Sequence, residues 1–124
     1  MDKALLIGAG GVLGALSRFA VYDFCRSWWT RGFPLPTLMI NAAGCLIAGL
    51  FFEYWREHPW FPTLSLFFAM GFLGSFTTFS TFGLESFQLL RQGDYTLALA
   101  NVGANTISGL LAVAAGVWLG SALR

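Results

Sequence analysis

The sequence predicts an all-α integral membrane protein with four transmembrane helices, the third of them broken. Hydrophobic residues make up 56% of the 124 positions and charged residues only 10%, a balance that a soluble domain of this size could not keep in solution. Apolar runs long enough to cross a hydrocarbon core of about 30 Å, which takes about 20 helical residues, occur four times. The net charge of +1 offers no basic patch for nucleic acid, and no linker divides the chain, so we expect one domain.

The four helices are predicted at about residues 4–24, 37–52, 62–90 and 95–119. The uncharged run of the first helix starts at Ala4 and stops at Arg18, which is too short to cross. A spanning helix must therefore continue to about Phe24, with Arg18 in or near the hydrocarbon zone. A signal peptide is the competing interpretation, but an A-x-A-like cleavage site is not apparent, and Arg18 interrupts the segment that follows the apolar run.

Polar residues form a narrow stripe on the second helix and another on the fourth. Their spacing of three or four positions places them on one helix face: Thr37, Asn41 and Cys45 on the second helix, and Asn101, Asn105 and Ser108 on the fourth. Asparagine side chains in lipid are expected to find polar partners. We therefore expect these stripes to face other helices, and the chain to form an oligomer.

The third helix carries the most unusual segment, GFLGSFTTFSTFGLE at Gly71–Glu85. The uncharged run 59–84 would make a helix of about 39 Å at 1.5 Å per residue, longer than a membrane needs. Glycine weakens a helix, so we predict a break at 74–77, inside protein or beside a cavity, because exposed peptide groups in lipid are costly. After the break, Phe79 and Phe82 are spaced i, i+3 and share a face.

Lysine and arginine residues outside the spans are balanced. The two sides of the membrane receive three each: Lys3, Arg56 and Arg124 on one side, and Arg26, Arg31 and Arg91 on the other. Because a Lys/Arg bias sets the orientation of a membrane protein, a chain without bias is predicted to insert both ways. A chance balance is the alternative. Two orientations favour an antiparallel dimer with a two-fold axis in the membrane plane.

Three segments carry a resemblance to a known family: GGVLGALSRF at 10–19, TLMINAAG at 37–44 and GFLGSFTTFSTFGLE at 71–85. The chain resembles the small bacterial fluoride channels, the Fluc family, also written CrcB. The resemblance implies a multi-pass protein of the bacterial inner membrane without enzymatic activity. It also implies a dual-topology homodimer in the lipid bilayer, exporting fluoride passively through two antiparallel pores around a central structural sodium ion.

The resemblance also implies roles for single residues. The motif positions that line the fluoride pore fall on Phe79, Phe82, Asn41, Ser80, Thr81 and Glu85, with Ser108 carried over from a looser motif on the fourth helix. The backbone carbonyls facing sodium fall on Gly74 and Thr77. Apart from the resemblance, Arg18 is interpreted as a vestibule or structural charge, and the sequence leaves open whether it pairs with an acid, pairs with backbone carbonyls or lines a wet vestibule. Two positions depart from the family pattern, namely Ser75 and Pro36, where glycine is common.

These residue types suit the implied chemistry. Fluoride is strongly hydrated, so a selective path must replace its water with hydrogen-bond donors and a weakly positive field. Asparagine amides and Ser or Thr hydroxyls are such donors, and the edges of Phe79 and Phe82 carry the positive part of the ring quadrupole. Carbonyls released by a helix break are hard oxygen ligands for a cation. Without the motif, the two rings would be interpreted as packing residues.

Two other classes stay open on the residues alone. A small dual-topology, proton-coupled multidrug exporter needs an acidic residue in a central pocket, normally on the first helix. The first span has none before Asp23, and Glu85 is the only other intramembrane candidate. A purely structural membrane subunit, whose polar stripes serve assembly alone, is the third interpretation. Dependence of transport on the anion separates all three.

Overall fold

The fold is known from a computed structural model that describes residues 2–30 and 32–124. Within these residues there are helices and connecting turns and no strand. In chain order they are α1 (Lys3–Arg26), α2 (Leu35–Trp55), α3 (Phe61–Ser65), the π-helix π1 (Leu66–Leu73), α4 (Gly74–Phe76), α5 (Phe79–Arg91) and α6 (Tyr95–Leu123). Arg31, which enters the predicted charge balance, lies outside the described residues.

Four segments are long and apolar enough to cross a membrane, which confirms the predicted number of spans. They are Lys3–Arg26, Leu35–Trp55, Phe61–Arg91 and Tyr95–Leu123. Each reaches the predicted bounds and most extend beyond them by one to four residues. At the start of α2 the extension has a clear cause, because Pro36 fits the first turn of a helix, where its missing N–H has no intrahelical role.

Side-chain caps fix where three of the helices begin. The side chains of Asp2, Thr78 and Asp94 each accept a hydrogen bond from a backbone amide in the first turn of α1, α5 and α6, respectively. Such caps satisfy amides that have no partner within the helix. The cap at Thr78 matters for function, because it starts a new helix in the middle of the third span.

The break in the third span lies at the C-terminal end of the predicted segment. Gly74 is helical and belongs to α4, whereas Thr77 and Thr78 are extended, with ψ angles of 159° and 108°. The prediction that the break begins at Gly74 is therefore wrong by one helical turn. The preceding π1 also departs from an α-helix, and π-helical turns are typical of functional sites.

Glycines let α1 lie directly against the third span. A Cβ added at Gly10 or Gly14 would overlap the backbone carbonyl of Phe67 or Phe72, respectively. Close backbone approach through small residues four positions apart is the usual means of helix association in lipid. The contact brings the C-terminal half of α1, including Arg18, beside the break.

α2 and α6 pack along their length by the same means, at Gly49 and Gly116. Ion pairs join their C-terminal ends, where Arg124 lies 3.4 Å from Glu53 and 2.8 Å from Glu57. Arg124 and the C-terminal end of α2 therefore lie at the same end of the bundle. The count of Lys and Arg residues on the two sides of the membrane places Arg56 and Arg124 on one side in the same way.

Large apolar side chains cover the outside of the bundle. Leu99, Leu110 and Trp118 on α6 are all more than two-thirds exposed, and few apolar side chains are fully buried. A bundle whose outer surface is apolar and whose interior contains asparagine is suited to hydrocarbon as its solvent. The chain is a multi-pass membrane protein.

Candidate ion pathway

The break at Thr77 and Thr78 releases backbone carbonyls of the turn before it, including those of Gly74 and Thr77. In a continuous helix the Thr78 amide would bond the Gly74 carbonyl, but it donates instead to Asn41 Oδ1 at 2.9 Å. The Thr81 amide would bond the Thr77 carbonyl, but it donates to Thr78 Oγ1 at 3.2 Å. The carbonyls of Gly74 and Thr77 therefore lose their helical partners, and these are the two carbonyls assigned to a cation by resemblance.

Arg18 reaches one of these carbonyls. Its Nη1 atom donates a hydrogen bond of 3.3 Å to the Thr77 carbonyl oxygen, and the side chain is half-buried against the break. A guanidinium group carries its charge permanently, so a positive charge is fixed near the centre of the third span. The partner of Arg18, which the sequence left open, is thus a backbone carbonyl.

Asn41 holds the break to α2. Its Nδ2 atom donates to the Thr78 carbonyl at 3.2 Å and to Asn105 Oδ1 at 3.1 Å, while its Oδ1 accepts from the Thr78 amide. Both amide hydrogens therefore have partners within the chain. An anion that binds Asn41 has to displace one of them.

A line of amides continues from Asn41 into α6 and back to α5. Asn105 Nδ2 donates to Asn101 Oδ1 at 2.9 Å, Asn101 Nδ2 donates to Ser86 Oγ at 2.9 Å, and Ser86 Oγ donates to the Phe82 carbonyl at 2.8 Å. Asn101 is completely buried. Burial of an amide without partners would be costly, and here every amide in the line is bonded.

Phe79 and Phe82 lie together at the start of α5. Their ring centroids are 5.6 Å apart with planes inclined at 48°, and Phe79 is 83% exposed in the single chain. Ser80 is also exposed, whereas the Thr81 hydroxyl accepts a hydrogen bond of 2.8 Å from Thr78 Oγ1. The break thus presents the Phe79 ring and the Ser80 hydroxyl on an open surface of the protomer, with the half-buried Phe82 ring beside Phe79.

Glu85 lies one turn beyond the rings and is held from the side of α2. Its Oε1 atom accepts a hydrogen bond of 2.9 Å from Thr37 Oγ1, whereas its Oε2 atom is buried and has no hydrogen-bond partner among the described residues. Beside it is a small cavity of about 120 Å³, lined in part by Pro34 and Gln88. Ser108 Oγ is likewise buried and unpartnered within the described part of the chain.

The structure brings together most of the residues that the motif singled out. Asn41 and Thr81 meet at Thr78, Phe79 meets Phe82, and Glu85 lies with Thr37. Within residues 2–30 and 32–124, neither Ser80 nor Ser108 has a side-chain hydrogen bond. The motif did not point to the backbone of Thr78, which only the fold reveals. Asn105 was also missed as a partner of Asn41, although its place in the polar stripe was visible.

Side-chain clusters that hold metals are absent from the described residues, because no three His, Cys, Asp or Glu side chains are grouped there. A cation at the break would therefore be held by backbone oxygens, which are suitable ligands for hard cations.

An apolar outer surface, a broken central helix and a hydrogen-bonded polar seam define the class: a helical membrane protein of the channel and transporter type.

Comparisons identify the family. The family model described as CrcB-like protein, Camphor Resistance (CrcB), matches residues 5–117. The fluoride-specific ion channel FluC of Hydrogenovibrio crunogenus is 40% identical over 120 residues, which cover 95% of this chain and 90% of that protein. The FluC protein of Dehalococcoides mccartyi is 39% identical over 100% of this chain and 96% of its own length. That of Stutzerimonas stutzeri is also 39% identical, over 94% of this chain and 94% of its own length. The chain belongs to the CrcB-like family.

Proposed function

We propose that this protein is a fluoride-selective channel that exports fluoride passively across the membrane. The observation that carries the proposal is the adjacent pair of rings at the helix break, Phe79, which is exposed, and Phe82, which is half-buried, beside the exposed hydroxyl of Ser80. The relatives in the family are named fluoride-specific ion channels, which supports the choice of anion. The channel needs no enzymatic step.

The residues around the break supply what fluoride requires. Ring edges offer a weak positive field, and the hydroxyls of Ser80, Thr81 and Ser108 offer hydrogen bonds in place of water. Ser108 Oγ has no partner among the described residues, so its hydrogen is available to an ion. Weak binding at several sites lets an ion leave as readily as it enters.

The functional unit in this proposal is an antiparallel homodimer with two pores. Phe79 and Ser80 are exposed at the level of the break, where lipid provides no partner for a hydroxyl. A second copy of the chain would cover this surface and complete each pore. The balance of Lys and Arg residues favours two orientations in the bacterial inner membrane.

A sodium ion is proposed as a structural element at the centre of the dimer. The Gly74 and Thr77 carbonyls have lost their helical partners, and a two-fold axis would double this set to four oxygens. A bound cation would neutralise these dipoles where water is absent. A carbonyl oxygen has two lone pairs, so Thr77 can accept from Arg18 and still bind a cation.

The test is fluoride efflux from liposomes that contain the purified protein. A potassium ionophore dissipates the membrane potential, a fluoride electrode records efflux, and chloride-loaded liposomes serve as the matched control. We expect rapid fluoride efflux without a proton gradient and no chloride efflux. Efflux that requires a proton gradient would assign the protein to the exporter class, and the absence of fluoride efflux would refute the proposal.

A further inference from the structure

A hydrogen-bonded chain of side chains connects α1 to Glu85. Tyr22, on α1, lies with its hydroxyl 2.7 Å from Thr37 Oγ1 on α2, and Thr37 Oγ1 lies 2.9 Å from Glu85 Oε1 on α5. Three helices therefore converge on one carboxyl group. The motif that identifies the pore does not include Tyr22.

Both hydrogen bonds of this network are donated in the direction of Glu85. Thr37 has a single hydroxyl hydrogen, and it is directed at Glu85 Oε1, since a carboxylate can only accept. Tyr22 must therefore donate to Thr37. A hydroxyl that accepts a hydrogen bond becomes a stronger donor, so the bond from Tyr22 strengthens the bond that holds Glu85.

The Thr37 hydroxyl has no alternative hydrogen-bond partner in the described part of the chain that could replace Tyr22 or Glu85. It is completely buried, so water cannot replace Tyr22. A helical threonine usually turns to the carbonyl four positions earlier, here that of Phe33. That carbonyl already accepts from Trp29 Nε1 and from the Leu35 amide, each at 2.8 Å. The Thr37 hydroxyl is thus kept for Glu85.

We propose that Tyr22 is a positioning residue for the ion pathway: acting through Thr37, it fixes Glu85 Oε1 as an acceptor and leaves Oε2 as the oxygen that can take up a proton and then donate a hydrogen bond to the permeating fluoride ion. The inference rests on the proposed function, because it assumes that Glu85 lines the path. Tyr22 itself does not touch the ion. Its loss frees the carboxyl group to rotate, which lowers the rate of permeation without unfolding the protein.

Fluoride efflux and infrared spectroscopy together test this role. Tyr22→Phe removes the one hydroxyl, Thr37→Val removes the relay, and Thr37→Ser keeps it. The matched control is Tyr95→Phe, because Tyr95 is 65% exposed and its hydroxyl has no hydrogen-bond partner among the described residues. The carboxyl stretching band of Glu85 is identified by its disappearance in Glu85→Gln.

We expect Tyr22→Phe to lower fluoride efflux about three- to tenfold, the effect of losing one hydrogen bond of about 1 kcal/mol, and Thr37→Val to lower it further. Thr37→Ser and Tyr95→Phe should retain wild-type efflux. The Glu85 band should shift in Tyr22→Phe and in Thr37→Val, and not in Tyr95→Phe.

Two results would overturn the inference. One is wild-type efflux in Tyr22→Phe, and the other is a Glu85 band that does not shift in that variant, even if efflux falls. Wild-type protein that conducts no fluoride would refute the proposed function instead, which keeps the two failures distinct.

Discussion

Asn41 binds both backbone groups of Thr78, because its Nδ2 donates to the Thr78 carbonyl and its Oδ1 accepts from the Thr78 amide. One side chain on α2 thus provides the acceptor that the Thr78 amide loses at the break, and adds a second bond to the Thr78 carbonyl. This explains how an extended residue is stable at membrane depth, where unpaired peptide groups cost several kcal/mol each.

Replacing Asn41 should therefore destabilise the protein and not only slow transport. Asn41→Leu keeps the volume but leaves the Thr78 amide and Asn105 Oδ1 without partners, and removes one of the bonds to the Thr78 carbonyl. We expect a loss of about 2–4 kcal/mol, measured by thermal or denaturant unfolding in detergent. Thr106→Val is the control, since its hydroxyl bonds only to the Val102 carbonyl on an exposed face. Equal stability of the two variants would contradict the role of Asn41.

Gly14 should not tolerate even a methyl group. A Cβ there would overlap the Phe72 carbonyl, so Gly14→Ala must push α1 away from the third span. We expect about 1–3 kcal/mol of destabilisation, seen as a lower melting temperature in detergent. Gly8 lies on the same helix with open space around it, and Gly8→Ala is therefore expected to be harmless. A melting temperature of Gly14→Ala that matches Gly8→Ala would mean that α1 packs differently.

The two phenylalanines should be required for conduction and not for folding. Phe82→Ile preserves bulk but removes the aromatic edge, and we expect fluoride efflux to fall about tenfold, which corresponds to about 1.4 kcal/mol at the barrier. Phe79→Ile should behave alike, because Phe79 is the more exposed ring of the pair. Size-exclusion chromatography checks that both variants assemble. Wild-type efflux in both would leave the rings with a packing role only.

The balance of Lys and Arg predicts insertion in both orientations. Reporters that are active on only one side of the membrane, fused after Arg124, should both give signal in the same cells. Adding lysines beside Arg26 should bias the orientation and lower the yield of dimers. Signal from a single reporter with the unmodified chain would exclude dual topology, and the antiparallel dimer with it.

Sodium should stabilise the dimer through backbone oxygens. Replacing sodium by N-methylglucamine throughout purification is expected to lower the melting temperature of the dimer, and added sodium should restore it. Thr77→Ser is the matched variant: it keeps the carbonyl and a hydroxyl that can bond to the Leu73 carbonyl, so its sodium response should be that of wild type. A melting temperature that does not change with the sodium concentration would contradict the proposed sodium site.

The sequence predicts the spans well because hydrocarbon imposes one simple requirement on length and composition, and all four runs satisfy it. The exact place of the break depends on tertiary contacts. Glycine propensity points to Gly74, yet the helix continues until the Thr78 amide finds Asn41, 37 positions earlier in the chain. Tyr22 is hidden for the same reason, since only the fold brings α1 to Thr37 and Glu85.

The hydrogen bonds that begin at Asn41 form a closed circuit. They pass through Asn105, Asn101 and Ser86 to the Phe82 carbonyl, and the backbone of α5 returns to Thr78. Turning α5 would break bonds at two places at once, each contributing about 1 kcal/mol. Hinge motions on the microsecond scale are thereby disfavoured, and amide hydrogens of α5 should exchange slowly. In the proposed channel, α5 would then keep its place while ions pass, so that permeation would not require the bundle to rock open for each ion.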